Sequence, residues 1–112
     1  LMLSSTRFYA HPAVMDNPTQ RAAVEDLKLV MESVLAARRR VMLELNVSND
    51  ALEHVVELLP CMREPTISKL HSSTGYAVKA AVPRHALATL VPTLKAAGGT
   101  DIVVTKLAQI VA

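Results

Sequence analysis

The chain has 112 residues, of which 51% are hydrophobic, so it is long enough for one domain with a core and too short for two. A formal net charge of +2 and only three aromatic residues exclude the basic, aromatic-rich surfaces that bind nucleic acids. No apolar run approaches the roughly 20 residues of a membrane-spanning helix, so we expect no membrane contact. The single cysteine, Cys61, excludes an internal disulfide and favours a reducing, cytoplasmic location.

Residues 1–16 predict a short strand that is closed by a turn at His11 and Pro12. The strand has no obvious partner in the pattern that follows. Two interpretations stay open: the strand completes the sheet of a longer protein, or it is an extra edge strand of this domain.

Residues 17–40 predict one long amphipathic helix. Asn17 is the expected N-cap, Pro18 suits the first helical position, and Gln20 stands three residues after the cap. The apolar stripe comprises Ala23, Val24, Leu27, Val30, Met31, Val34 and Leu35. The helix ends with Arg38, Arg39 and Arg40, and cations at the C-terminal end of a helix interact favourably with its dipole. Phosphate binding by these arginines is the alternative interpretation.

Residues 41–112 alternate strand and helix patterns in the order β-α-β-β-α-β. The segments are a strand at Val41–Val47, a helix from a cap at Ser48 or Asn49 to Pro60, strands at Arg63–Leu70 and Gly75–Val82, a helix at His85–Ala97 and a strand from Asp101 to Thr105 or Ile110. Pro92 should kink the last helix, and Gly98-Gly99 should stop it. The last strand is apolar enough that we expect it to be central in the sheet.

Two right-handed crossovers in this order predict an α+β, ferredoxin-like fold. It is a βαββαβ unit whose four-stranded antiparallel sheet carries helices on one face, preceded by a long helix and an N-terminal strand segment. Strand alternation places polar side chains on the other sheet face, namely Met42, Glu44, Asn46, Thr66, Ser68 and Lys79. We expect the long helix, another subunit or a further domain to cover that face.

The sequence offers no catalytic motif. Its only glycines, Gly75, Gly98 and Gly99, form no phosphate-binding loop, and no elbow motif places a serine or cysteine beside a base. Four histidines and Cys61 fall at no metal-ligand spacing. We therefore predict no catalytic residue, no metal site and no cofactor in this chain.

Several segments, in order, resemble the C-terminal region of long-form ATP phosphoribosyltransferase, across roughly residues 18–110. They are Val41–Val47, Leu59-Pro60, Arg63–Ile67, Tyr76–Pro83 and Gly98–Ile102. The resemblance implies a ferredoxin-like regulatory domain that binds the feedback inhibitor L-histidine of the first step of histidine biosynthesis. It also implies that residues 1–16 are the last strand of an upstream catalytic domain, residues 17–40 a connecting helix and residues 41–112 the regulatory domain.

The same resemblance implies a homo-oligomer, with threefold contacts between these domains in a hexameric enzyme, and magnesium for the full-length enzyme. The chain lacks the family's motif for phosphoribosyl pyrophosphate, so we expect it to be inactive alone.

Position by position, the resemblance implies that L-histidine contacts Asn46, Thr66, Ala81 and Asp101. Asp101 would face the ligand ammonium, while Asn46 and Thr66 would bind the imidazole nitrogens. Family members often carry Asp at the Asn46 position and a small residue at the Asp101 position, so we expect the carboxylate to have changed places here.

The alternative function is a free-standing trimeric module of the nitrogen-regulatory or amino-acid-sensing type, which has the same sheet topology without an attached enzyme. Such modules contact partners through a long flexible loop. The predicted hairpin turn His71–Gly75 is too short for that role.

Overall fold

The computed structural model describes Arg7 and residues 9–112. The elements are helix α1 at Pro12–Asp16, helix α2 at Pro18–Arg39, strand β1 at Arg40–Ser48, helix α3 at Leu52–Leu58, strand β2 at Thr66–Lys69, strand β3 at Gly75–Pro83, a 3-10 turn at Arg84–Ala86, helix α4 at Leu87–Ala96 and strand β4 at Thr100–Lys106. The strands form one antiparallel sheet in the order β2-β3-β1-β4. The α+β, ferredoxin-like prediction is therefore confirmed.

The N-terminal segment differs in part from its prediction. Residues 1–6 and Phe8 lie outside the described residues, so the predicted strand there stays a prediction, as does the division into three segments. The predicted turn at His11 and Pro12 is instead the start of α1. His11 Nδ1 accepts a hydrogen bond from the Ala13 amide at 3.1 Å, and Pro12 has the backbone φ that a first helical turn needs.

Helix α2 begins as predicted. The Asn17 carboxamide oxygen accepts hydrogen bonds from the amides of Thr19 at 3.0 Å and Gln20 at 3.2 Å, which satisfies two free donors of the first turn. Only Ser33 and Ala37 of this 22-residue helix are buried. Its apolar stripe thus remains largely uncovered in this chain.

The core lies between one face of the sheet and helices α3 and α4. Along β1, buried and more exposed residues alternate as the sequence predicted, with Val41, Leu43, Leu45 and Val47 buried. The buried residues that pack with them are Val55, Leu59, Val78, Ala80, Val82, Leu90 and Leu94. Because this layer fixes β1 and β3 side by side, it also fixes which side chains lie on the opposite face.

Three details of this unit were predicted wrongly. Strand β2 is shorter than the predicted Arg63–Leu70, because only Thr66–Lys69 pair with β3. Helix α3 begins at Leu52 after Ala51, without a side-chain cap, because a turn closed by the Ala51 amide and the Ser48 carbonyl at 3.2 Å replaces a cap at Ser48 or Asn49. Strand β4 pairs only with β1 and is an edge strand, since the two crossovers leave β1 and β3 in the middle. Its Val103 and Val104 are accordingly exposed.

Helix α4 continues through Pro92 and ends at the predicted stop. Gly98 has a φ of 106°, a backbone conformation that disfavours every other residue. The amide of Gly98 donates to the Lys95 carbonyl at 3.2 Å and that of Gly99 to the Leu94 carbonyl at 2.8 Å. This turn delivers the chain directly into β4. The kink expected at Pro92 stays a prediction.

In the part of the chain that the structure describes, no helix is both long and apolar enough to cross a membrane.

Candidate ligand site on the open face of the sheet

We call the sheet face opposite α3 and α4 the open face. Strand pairing sets Thr66 of β2 opposite Lys79 of β3, Lys79 opposite Glu44 of β1, and Glu44 opposite Val103 of β4. All four of these residues are exposed. One row of side chains therefore crosses all four strands without cover from α2.

The open face contains a depression of about 460 Å³, within the size range of small-ligand sites. Its lining residues are Glu44, Leu45, Asn46, Thr66, Ser68, Ala77, Val78, Lys79, Asp101 and Val103. Three of the four predicted contacts, Asn46, Thr66 and Asp101, lie around this one depression.

Asn46 and Asp101 are joined directly. The pairing of β1 with β4 shifts between Glu44 and Asn46, and Asp101 lies in the resulting irregularity with a φ of 49°. The Asn46 Nδ2 donates a hydrogen bond to Asp101 Oδ2 at 3.2 Å. The Thr100 hydroxyl donates to the Asn46 carbonyl at 3.4 Å, which links the same two strand ends. The irregularity thus aims the Asp101 carboxylate at the open face.

The expected exchange of a carboxylate between the Asn46 and Asp101 positions stays a prediction. Because the two side chains are hydrogen-bonded neighbours, a carboxylate on either residue would present negative charge at nearly the same place.

Ala81, the fourth predicted contact, lies beside this depression and does not line it. It lies two residues beyond Lys79 on the same face of β3, opposite Met42. It lines a neighbouring depression of about 300 Å³, together with Thr66, Lys79 and the C-terminal residues 110–112. Thr66 and Lys79 belong to both depressions, so all four predicted residues adjoin one continuous surface.

Strand alternation in the sequence predicts Glu44, Ser68 and Lys79 on this face, although it assigns them no ligand. The structure shows all three lining the depression with the predicted residues. Strand alternation could have identified them as candidate ligand contacts, because each is a polar residue on the same face as Asn46 or Thr66.

The lining has a mixed charge. Glu44 and Asp101 provide two carboxylates, Lys79 provides one ammonium group, and Asn46, Thr66 and Ser68 provide neutral donors and acceptors. Such a set can bind a small zwitterion, because each charged end of the ligand meets an opposite charge and its polar groups meet hydrogen-bonding partners. Among residues 7 and 9–112, no three His, Cys, Asp or Glu side chains are grouped to hold a metal ion.

The sequence matches the protein family described as "HisG, C-terminal domain" over residues 37–109, which is more than half of the chain. It is 32% identical over 111 residues to the ATP phosphoribosyltransferase of Pelotomaculum thermopropionicum, covering 99% of this chain and 38% of that protein. It is 39% identical over 103 residues to the ATP phosphoribosyltransferase of Koribacter versatilis, covering 92% of this chain and 36% of that protein. The enzyme of the same name from Ignicoccus hospitalis is 36% identical over 112 residues, covering 99% of this chain and 38% of that protein.

The chain therefore spans little more than a third of these relatives' length. Its β1-to-β4 unit, including the open-face depression, falls inside the matched residues 37–109. Together with the observed βαββαβ topology, this match shows that the chain belongs to the family described as HisG, C-terminal domain.

Proposed function

We propose that this chain is the L-histidine-binding regulatory domain of an ATP phosphoribosyltransferase that acts in the first step of histidine biosynthesis. The observation that carries the proposal is the open-face depression, whose charges complement an amino acid and whose lining includes Asn46, Thr66 and Asp101. The family match supports the link to the enzyme.

Different lining residues would bind different chemical groups of the ligand. The ligand ammonium binds Asp101 and Glu44, and its carboxylate binds the Lys79 ammonium group. The imidazole nitrogens bind the Asn46 and Thr66 side chains, which offer both donors and acceptors. Each of these groups is already on the rim of the depression, so binding needs no rearrangement of the sheet.

Feedback inhibition then requires that the occupied domain act on a catalytic domain of the same cytoplasmic enzyme. Magnesium would be held by that catalytic part, since the described residues of this chain group no metal ligands. We also propose that these domains associate around threefold axes in a homo-hexamer. The free-standing nitrogen-regulatory alternative is not favoured, because the family match is to a C-terminal domain.

Isothermal titration calorimetry of this chain with L-histidine tests the proposal. We expect saturable binding that Asp101→Ala weakens about ten- to a hundredfold, because a charge-assisted hydrogen bond contributes roughly 1.5 to 3 kcal/mol. Asp26→Ala removes the same charge from the exposed side of α2 and serves as the matched control, with affinity unchanged.

Equal weakening by Asp101→Ala and Asp26→Ala would mean that the charge effect is not local and would reject the site. Absence of binding here, together with unchanged activity of the whole enzyme at millimolar L-histidine, would reject the regulatory function.

A further inference from the structure

A second depression, of about 630 Å³, lies where α2 ends and β1 begins, beside the end of β3. It is lined by Ala36, Arg38, Arg39, Arg40, Pro83, Arg84 and His85. We call it the basic depression, because four of its seven lining residues are arginines and none is acidic. Strand pairing explains the convergence, since Arg40 at the start of β1 lies opposite Pro83 at the end of β3.

The positive charge of the chain is concentrated here. The chain has 12 lysines and arginines, and four of them line the basic depression. The other eight are outnumbered by the ten acidic residues, so the rest of the chain has a net charge of −2. The ion pairs formed within the described residues join Arg21 to Glu25 and Lys28 to Glu32, on another part of α2. The four arginines are therefore not neutralised by described carboxylates.

A contribution to helix stability accounts for only two of the four arginines in this cluster. Arg38 and Arg39 lie in the last turn of α2, where cations stabilise the helix dipole. Arg84 instead precedes α4, and positive charge near the N-terminal end of a helix is unfavourable. The approach of both groups to one depression thus adds repulsion that local structure does not offset.

Arg40 is already held in place at the centre of this cluster. It is half-buried, and its Nη1 donates a hydrogen bond to the Ala81 carbonyl at 3.3 Å. A guanidinium group that is fixed by one bond loses less conformational freedom when its other donors bind an anion.

We propose that the basic depression binds a condensed phosphate, either as free pyrophosphate or as the di- or triphosphate part of a larger metabolite. Guanidinium groups match phosphate oxygens with paired hydrogen bonds. A single phosphate carries about two negative charges at neutral pH, so a condensed phosphate matches four arginines better. The four arginines supply paired hydrogen bonds to phosphate oxygens, and the lining has no Phe, Tyr or Trp side chain.

This site is separate from the open-face site of the proposed function, with which it shares no lining residue. The two proposals can therefore fail independently.

Calorimetry of the 112-residue chain at low salt, with inorganic pyrophosphate and tripolyphosphate as probes, tests the proposal. We expect saturable binding of both, and at least about tenfold weaker binding of inorganic orthophosphate. A nucleoside triphosphate distinguishes the two sources: affinity equal to that of tripolyphosphate indicates that only the phosphate chain is bound, and higher affinity indicates a larger metabolite.

The test variant is Arg39→Gln/Arg84→Gln, which changes two exposed side chains. We expect it to weaken pyrophosphate binding by about tenfold or more and to leave L-histidine binding unchanged. The control Arg21→Gln/Lys95→Gln removes the same charge elsewhere and should change pyrophosphate affinity by less than about twofold. Arg39→Lys/Arg84→Lys keeps the charge without the planar fork and should give an intermediate affinity.

Circular dichroism confirms that each variant is folded, and the single variant Arg84→Gln replaces the double variant if that one unfolds. The proposal is overturned by absence of saturable binding, by equal weakening in the test and control variants, or by an acidic peptide that binds more tightly than pyrophosphate. The last result would instead identify a protein partner.

Discussion

At the scale of single residues, Asp101 carries the clearest structural sign of a function. Its φ of 49° is a left-handed conformation, as is the φ of 58° at Ser73. Ser73 lies in the turn between β2 and β3, where such angles are normal, whereas Asp101 lies within β4. Because strain of this kind costs about 1 kcal/mol or more, its occurrence at a residue of the proposed ligand site favours a functional reason for it.

Glycine usually makes a protein less stable than alanine does at the same position, and the strain at Asp101 predicts the opposite order there. We expect Asp101→Gly to be more stable than Asp101→Ala by about 1 kcal/mol, because glycine adopts this φ without strain. At the exposed helical residue Thr89 of α4, Thr89→Gly should be less stable than Thr89→Ala by about the same amount. Urea unfolding of the four variants measures both differences. If the alanine variant is more stable than the glycine variant at both positions, Asp101 is not strained.

At the scale of elements, local chemistry predicted those features that depend on neighbours in sequence. The cap at Asn17, the buried face of β1 and the stop at Gly98 all follow from residue type and spacing, and the structure confirms them. The start of α3 at Leu52 could not be predicted, because no side chain caps it. The edge position of β4 follows from the predicted βαββαβ order, so the expectation of a central strand failed because it relied on the apolar composition of the segment alone.

In the candidate site, too, features set by local sequence were predicted and features set by distant segments were not. Alternation along the strands indicated which polar side chains share the open face, including Asn46 and Thr66. The contact between Asn46 and Asp101 depends on an irregular pairing of two strands that are distant in sequence, and only the three-dimensional structure reveals it. The basic depression is similar, since the arginine run was visible but its approach to Arg84 was not.

Close packing at the junction of α4 and β4 gives a prediction about Gly99. A Cβ on Gly99 would lie 2.9 Å from both the Leu45 Cδ1 atom and the Leu94 carbonyl oxygen. Gly99→Ala should therefore lower the free energy of unfolding by roughly 1 to 3 kcal/mol, as is typical of an overpacked core.

Gly98→Ala is the matched control for Gly99→Ala. A Cβ on Gly98 would meet only the Ala51 Cβ, at 3.4 Å, so its cost is the positive φ, at about 1 kcal/mol. Thermal unfolding of the two variants gives the order, and a larger loss for Gly98→Ala would contradict this account.

At the scale of the whole molecule, the chain is extended. Its radius of gyration is 19.2 Å, whereas a compact domain of about this length has roughly 13 Å. The long helix α2 buries only Ser33 and Ala37 and exposes stripe residues such as Leu27 and Val30, by 60% and 50%. The chain thus presents two uncovered surfaces, the stripe on α2 and the open face of the sheet.

The proposed threefold association should use the open face and not α2. We expect sedimentation velocity at high concentration to show a species of three times the 12.1 kDa chain mass. Val103→Glu places a charge on the open face at β4, where Val103 is 51% exposed, and should give a monomer, because burying an unpaired carboxylate in an interface is costly. Val30→Glu makes the same substitution in the stripe on α2, at a residue that is 50% exposed, and should leave the trimer intact. A trimer lost with Val30→Glu and kept with Val103→Glu would assign the contact to the stripe on α2. A monomer at every concentration would reject association through either surface in this chain.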